Sequence, residues 1–189
     1  MKAPMRWTRT GITMVVAALF VAAPFQAMAA PPQQKDELFA GAEKFAKNAK
    51  SSTEVNLDKN MLGMAGKFAD DGDKEAAGLT KKLDFVIVRD YEYDKPGQYN
   101  MADVEEFRNR LDNGGWSHVV KERSATESTD VCMKTDSDGV TELVVIDAEP
   151  NELTFVHLKG HMSMSDLEKA GSKYGASQRK ATKVKAKVK

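Results

Sequence analysis

The second half of the chain constrains the fold most. Between Trp116 and Lys159, four segments (116–123, 129–135, 140–148 and 152–159) carry strand patterning and are joined by very short connections. Two of these connections, Asp136-Ser137-Asp138-Gly139 and Glu149-Pro150-Asn151, have turn chemistry, so the run folds back on itself as antiparallel strands. Upstream, Leu38, Phe39, Ala42, Phe45, Ala46 and Ala49 recur at helical spacing. They predict one amphipathic helix of about three to four turns, starting from Asp36. The segment 53–57 alternates as a short strand, after which Asp58 can cap a second helix bearing Met61, Leu62, Ala65, Phe68 and Ala69. Asp70-Asp71-Gly72-Asp73 breaks that helix and offers a cap to a third, carrying Ala76, Ala77, Leu79 and Leu83. Phe85-Val86-Ile87-Val88 is apolar on both faces, as a central strand must be, and continues to Tyr93. A helix over about 101–111 turns Val104, Phe107, Arg108 and Leu111 inward and ends at Asn113-Gly114-Gly115. A last short helix opens at Ser163 or Ser165, and Ser165-Asp166-Leu167-Glu168 fits a capping box. The fold class is therefore α+β: a single compact domain over 36–171 with a mostly antiparallel sheet and helices packed on one face.

Charge divides the chain into unlike parts. The whole has 28 basic and 28 acidic residues, but three basic groups (Lys2, Arg6, Arg9) and no acid lie in 1–29. Seven more basic groups and no acid lie in 173–189, so 30–171 sets 18 basic residues against all 28 acids, a formal charge of −10. The first segment is ordered as a secretory signal: a positive start, an uncharged run from Gly11 to Phe25, then Ala27-Met28-Ala29. Cleavage before Ala30 is expected, followed by a flexible leader over 30–35. The twenty uncharged residues Gly11 to Ala30 are just long enough to span a membrane, so a retained anchor is the rival reading. Pro24 and the small residues of the cleavage motif favour removal, and no transmembrane span is expected after it.

Several patterns resemble the bacterial exported family named domain of unknown function 4252. They are the strand ending Val55-Asn56-Leu57-Asp58, the segment Leu83-Asp84-Phe85-Val86, the pair Gly115-Trp116, and Leu143-Val144-Val145-Ile146 through Glu149-Pro150-Asn151-Glu152-Leu153-Thr154 to Gly160. The resemblance covers about Lys44 to Gly171 and implies a small exported or envelope protein with no established reaction and no catalytic residues to carry over. This chain lacks the lipid-accepting cysteine of some relatives, and its basic tail lies outside the shared region.

Patterns that carry chemistry are sparse. Cys132 is the only cysteine, so no intramolecular disulfide can form. Alternation places it with Asp130 and Lys134 on the more polar strand face, as a half-exposed, unpaired thiol. His157 and His161 invite a metal, but a structural zinc needs four ligands, and only His118, Cys132 or distant carboxylates could complete the set. The expected reading is a strand histidine and a loop histidine, with no metal and no cofactor. Asp136-Ser137-Asp138-Gly139 fails as a calcium loop because Lys134 and Val145 would hold its first and twelfth positions. Asp90, Glu92 and Asp147 could pair as acid and base but read by default as a solvated sheet face. Trp116 reads as a core or rim anchor; exposed beside Tyr91 and Tyr93, it would suggest a sugar- or peptide-binding platform.

The tail, 172–189, is too poor in apolar residues to fold alone, and disorder is expected. Its Lys173, Arg179, Lys180, Lys183, Lys185, Lys187 and Lys189 are candidate contacts for an anionic partner. Export argues against intracellular nucleic acid as the target and leaves phospholipid heads, lipopolysaccharide, acidic wall polymers or the acidic body itself. The expected function is a non-catalytic exported module, periplasmic or secreted, that binds an envelope protein or anionic polymer. Two alternatives stand beside it: an exported enzyme with a site of dispersed acids or histidines in a pocket, and an anion-surface binder acting through the tail.

Overall fold

The computed structural model describes residues 36–69 and 74–167. The segments expected to be a signal and a leader, the Asp70–Asp73 stretch and the C-terminal stretch with its seven basic residues lie outside them. Elements follow in the order 3-10 helix (Ala42–Asn48), β1 (Ser51–Asp58), α1 (Lys59–Ala69), α2 (Lys74–Thr80), β2 (Leu83–Glu92), α3 (Met101–Asn113), β3 (Ser117–Arg123), β4 (Ser128–Thr135), β5 (Val140–Glu149) and β6 (Glu152–Met162). They build one six-stranded sheet in the order β1-β2-β6-β5-β4-β3, with every neighbouring pair antiparallel. The second-half meander is the predicted one. β2 lies inside the sheet, between β1 and β6, where its doubly apolar run can be covered on both sides.

Side-chain alternation gives the sheet two apolar faces. On the first, Tyr91, Cys132, Val144, Ile146, Leu153 and Phe155 are buried beneath the 3-10 helix and α3 through Phe39, Phe45, Val104, Phe107 and Leu111. On the second, Val86, Val88, Val145 and Val156 pack with Leu62 of α1 and, at the margin, Leu79 of α2. The α+β antiparallel fold is as expected, but helices cover both faces rather than one. Val86 and Val88 demand this: turned away from α3, they would otherwise face water.

Three local expectations are also corrected. The first helix is a 3-10 segment of seven residues, because Gly41 at its start has φ 91, a left-handed conformation that interrupts the helical path from Asp36. Its apolar residues still reach the core: Phe39, Ala42 and Phe45 are buried. Leu83 opens β2 instead of closing a helix, and His161 lies within β6 rather than in a loop.

α3 forms as its sequence implies. Asn100 accepts from Ala102 N at 3.0 Å as its cap, and Val104, Phe107, Arg108 and Leu111 are its buried residues. Asp58 caps α1 by accepting from Met61 N at 2.9 Å. After β6, Ser163 rather than Ser165 opens the closing helical turn: Ser163 Oγ accepts from Asp166 N, and Asp166 accepts from Ser163 N and Oγ. Lys82 Nζ reaches both Asp166 oxygens at 2.7 and 2.8 Å.

Those hydrogen bonds, from Lys82 first and Ser163 next, hold the Asp166 carboxyl down to about 2. A depressed carboxylate stabilises the fold above its unfolded value, and that contribution is lost as pH falls through the folded one. Thermal melts between pH 4 and 2 should therefore show an acid-dependent loss of stability whose slope Asp166→Asn reduces. An unchanged slope in the variant would disprove the assignment.

Candidate functional site

On the first sheet face the helical cover leaves a cavity of about 500 Å³ between the start of the N-terminal segment, the end of α3 and the ends of β2, β6, β5 and β4. Cross-strand pairing sets its floor. Phe85, Lys159, Glu142 and Lys134 form one row across four strands, since Phe85 pairs with Lys159, Lys159 with Glu142, and Glu142 with Lys134. His157, in the next row, pairs with Ile87 and Val144.

His157 is the centre of this site. Its ring is buried between two carboxylates: Nε2 is 3.2 Å from Glu142 Oε2, and Nδ1 is 3.4 Å from each Asp36 carboxylate oxygen. A neutral imidazole carries one N–H donor, so in that form the ring donates to one of the two carboxylates and not to both. Aromatic edges enclose the ring, with Phe85 at 4.8 Å and Trp116 at 5.8 Å between centroids. Lys134 Nζ lies 4.4 Å above the Trp116 ring, a cation–π arrangement. Lys134 and Lys159 each approach Glu142 Oε1 at 3.7 Å. Arg110, also in the lining, donates to the carbonyls of Leu38 and Ala40 and so ties α3 to the segment bearing Asp36.

The remaining sequence candidates do not join this site. His161 is largely exposed and sits 3.9 Å from Asp136, so it does not converge with His157. Among the described residues, no three His, Cys, Asp or Glu side chains are grouped to hold a metal ion. Asp136-Ser137-Asp138-Gly139 is a turn, closed by Asp136 accepting from Asp138 N and Gly139 N. Tyr91 and Tyr93 are buried, so they form no platform with Trp116. Asp147 is buried and accepts from Thr129 Oγ1 at 2.6 Å, while Asp90, partly buried, accepts from Thr154 Oγ1 at 2.7 Å. Glu92, on the same face, is exposed, so that face is packed at Asp147 and open towards Glu92.

Cys132 is fully buried, not half-exposed, because the face it shares with Asp130 is the one α3 covers. Its Sγ lies 3.2 Å from His118 Nδ1, and His118 Nε2 lies 2.8 Å from Asp112 Oδ1. Cysteine, histidine and aspartate stand in the order of a nucleophilic triad. The environment opposes that role: burial, with Asp130 and Asp112 adding to it, pushes the thiol up to about 11. The thiol then keeps its proton and donates it to Nδ1, leaving Nε2–H to donate to Asp112. Ellman's reagent should leave native protein unlabelled and label one thiol per chain after unfolding; rapid native labelling would contradict this reading.

Beside this group, Arg108 Nε donates to Asp130 Oδ2 at 2.7 Å and Arg123 Nη2 to Asp130 Oδ1 at 2.7 Å, and Arg108 also bonds Ser128 and Glu105. Arg108 and Asp130 are 3% and 1% exposed, which makes this a structural ion pair with no access for a ligand.

Among the described residues, no helix is long and apolar enough to cross a membrane. No curated protein and no solved structure matches the chain. One family profile does, over residues 45–170, and the span takes in β1 to β6 and all of the pocket lining except Asp36, Glu37 and Leu38. The chain belongs to this family, described as Domain of unknown function (DUF4252).

Proposed function

We propose that this protein is a non-catalytic exported module, periplasmic or secreted, that binds an envelope protein or anionic polymer on its first sheet face. Export rests on the signal pattern of residues 1–29, and the basic tail adds a weak, salt-sensitive contact to an anionic surface. The observation that carries the binding role is the cavity around His157, floored by sheet strands and walled by Trp116 and Phe85.

The same cavity gives one ground for the enzymatic alternative, since it holds a histidine and two carboxylates. Two features weigh against that alternative. Both ring nitrogens of His157 already face carboxylates, which leaves neither for a substrate proton. Among the described residues, the lining also contains no serine, threonine or cysteine to act as a nucleophile.

Crosslinking the protein in intact cells, beside a chain ending at Gly171, tests the proposal. Enrichment of one envelope protein or polymer by both chains supports binding through the folded body. Capture lost with the tail would assign binding to the tail instead. Capture of nothing by either chain would overturn the module reading.

A further inference from the structure

The balance of used and unused polar groups around the His157 cavity indicates what it takes. This inference rests on the binding reading above and deepens it. Glu142 and Asp36 are engaged by His157, and Asp36 also accepts from Leu38 N at 3.0 Å. Arg110 is engaged by two backbone carbonyls. The ammonium groups of Lys134 and Lys159 are not engaged in the same way. Each stands 3.7 Å from one shared Glu142 oxygen, beyond hydrogen-bond reach, with donors to spare. The Trp116 indole N–H likewise makes no hydrogen bond among the described residues. Apart from Glu37, an exposed acid on the rim that weakens the positive field, and the Glu142 Oε1 that faces both ammonium groups, the unused capacity of the lining is donor capacity.

We propose that this cavity binds a carboxylate-bearing ligand with a ring or other apolar body. The carboxylate bridges Lys134 and Lys159, and the body rests against Trp116 and Phe85. Glu142 Oε1 faces the two ammonium groups from between them, while its Oε2 faces His157 Nε2. A second carboxylate therefore meets two cations already gathered at one place, and their ordering cost is partly met before binding. Phe85, adjacent to Lys159 in the cross-strand row, and Trp116, beneath Lys134, flank the pair with apolar surface. A peptide C-terminus and a uronic acid both satisfy this chemistry.

The test titrates isotope-labelled full-length protein with N-acetylphenylalanine, its amide, methyl glucuronide and methyl glucoside, each to about 10 mM, the range where fragments of this size bind. Expected are NMR shifts at the Trp116 indole with at least one carboxylate probe, and roughly ten-fold weaker binding of its neutral counterpart. The probe that responds tells a peptide terminus from a sugar acid. Lys134→Met with Lys159→Met, both partly exposed, should weaken binding by about ten-fold with no change in melting temperature. Trp116→Leu should weaken both the charged and the neutral probe. No shift with either carboxylate, equal binding of acid and neutral counterpart, or indifference to the lysine substitutions would each overturn the assignment. If the lysine variant still captures the cellular partner, the module reading stands and only the pocket assignment falls.

Discussion

Replacing Asp130 with alanine is expected to lower the unfolding free energy by about 3 kcal/mol, the lower end for breaking a buried ion pair, because Arg108 keeps Glu105 and Ser128. Among the described residues, Asp130 is the carboxylate that faces both Arg108 and Arg123, and Arg108 is itself 3% exposed, so its guanidinium has no water to turn to. Exchanging both partners for apolar residues, as in Arg108→Met with Asp130→Leu, should cost clearly less, because neither charge is then stranded. Urea denaturation of the two single variants and the pair gives the coupling directly. A loss below about 1 kcal/mol for Asp130→Ala would mean that the pair is solvated rather than buried.

Gly160→Ala is expected to cost about 3 kcal/mol, at the upper end for overpacking. A Cβ there would lie 2.2 Å from Lys82 O and 2.6 Å from Leu83 Cα, both backbone atoms that cannot swing aside. The clash falls where β2 begins: Leu83 pairs with Gly160, the register shifts between Leu83 and Phe85, and His161 N donates to Lys82 O at 3.0 Å. Amide exchange at His161 should accelerate along with the global loss. Gly63→Ala is the matched control. It sits inside α1 with nothing within 4 Å of a new Cβ, so the substitution should gain about 0.5–1 kcal/mol through helix propensity. Equal effects at the two positions would show that Gly160 is not a packing constraint.

Part of the site is legible in strand alternation alone. On β5, Val144, Ile146 and Ala148 form an apolar stripe that Glu142 ends, and on β6, Leu153 and Phe155 form one that His157 ends. Counting outward from the Glu149-Pro150-Asn151 turn places these two polar residues on one face in adjacent rows. Alternation and hairpin register are enough to bring them together. Asp36 carries no such signal. It stands 121 residues from His157 and reaches it because Phe39 and Phe45 seat its segment on the sheet. The pairing of Cys132 with His118 is also within reach of cross-strand register. Its burial is not, since that depends on α3 lying across β4.

The features that the chain dictates unaided are therefore local and periodic: the antiparallel meander, the inward face of α3 with its buried arginine, the cap at Asp58, and the α+β class. These follow from alternation, helical spacing and turn chemistry, each acting over a few residues. Tertiary packing decides which face of the sheet each helix covers, that Cys132 is sealed from solvent, and that His157 lies between Glu142 and Asp36. Those outcomes depend on the strand order β1-β2-β6-β5-β4-β3, which brings distant segments together and is fixed only when both apolar faces of the sheet find cover at once.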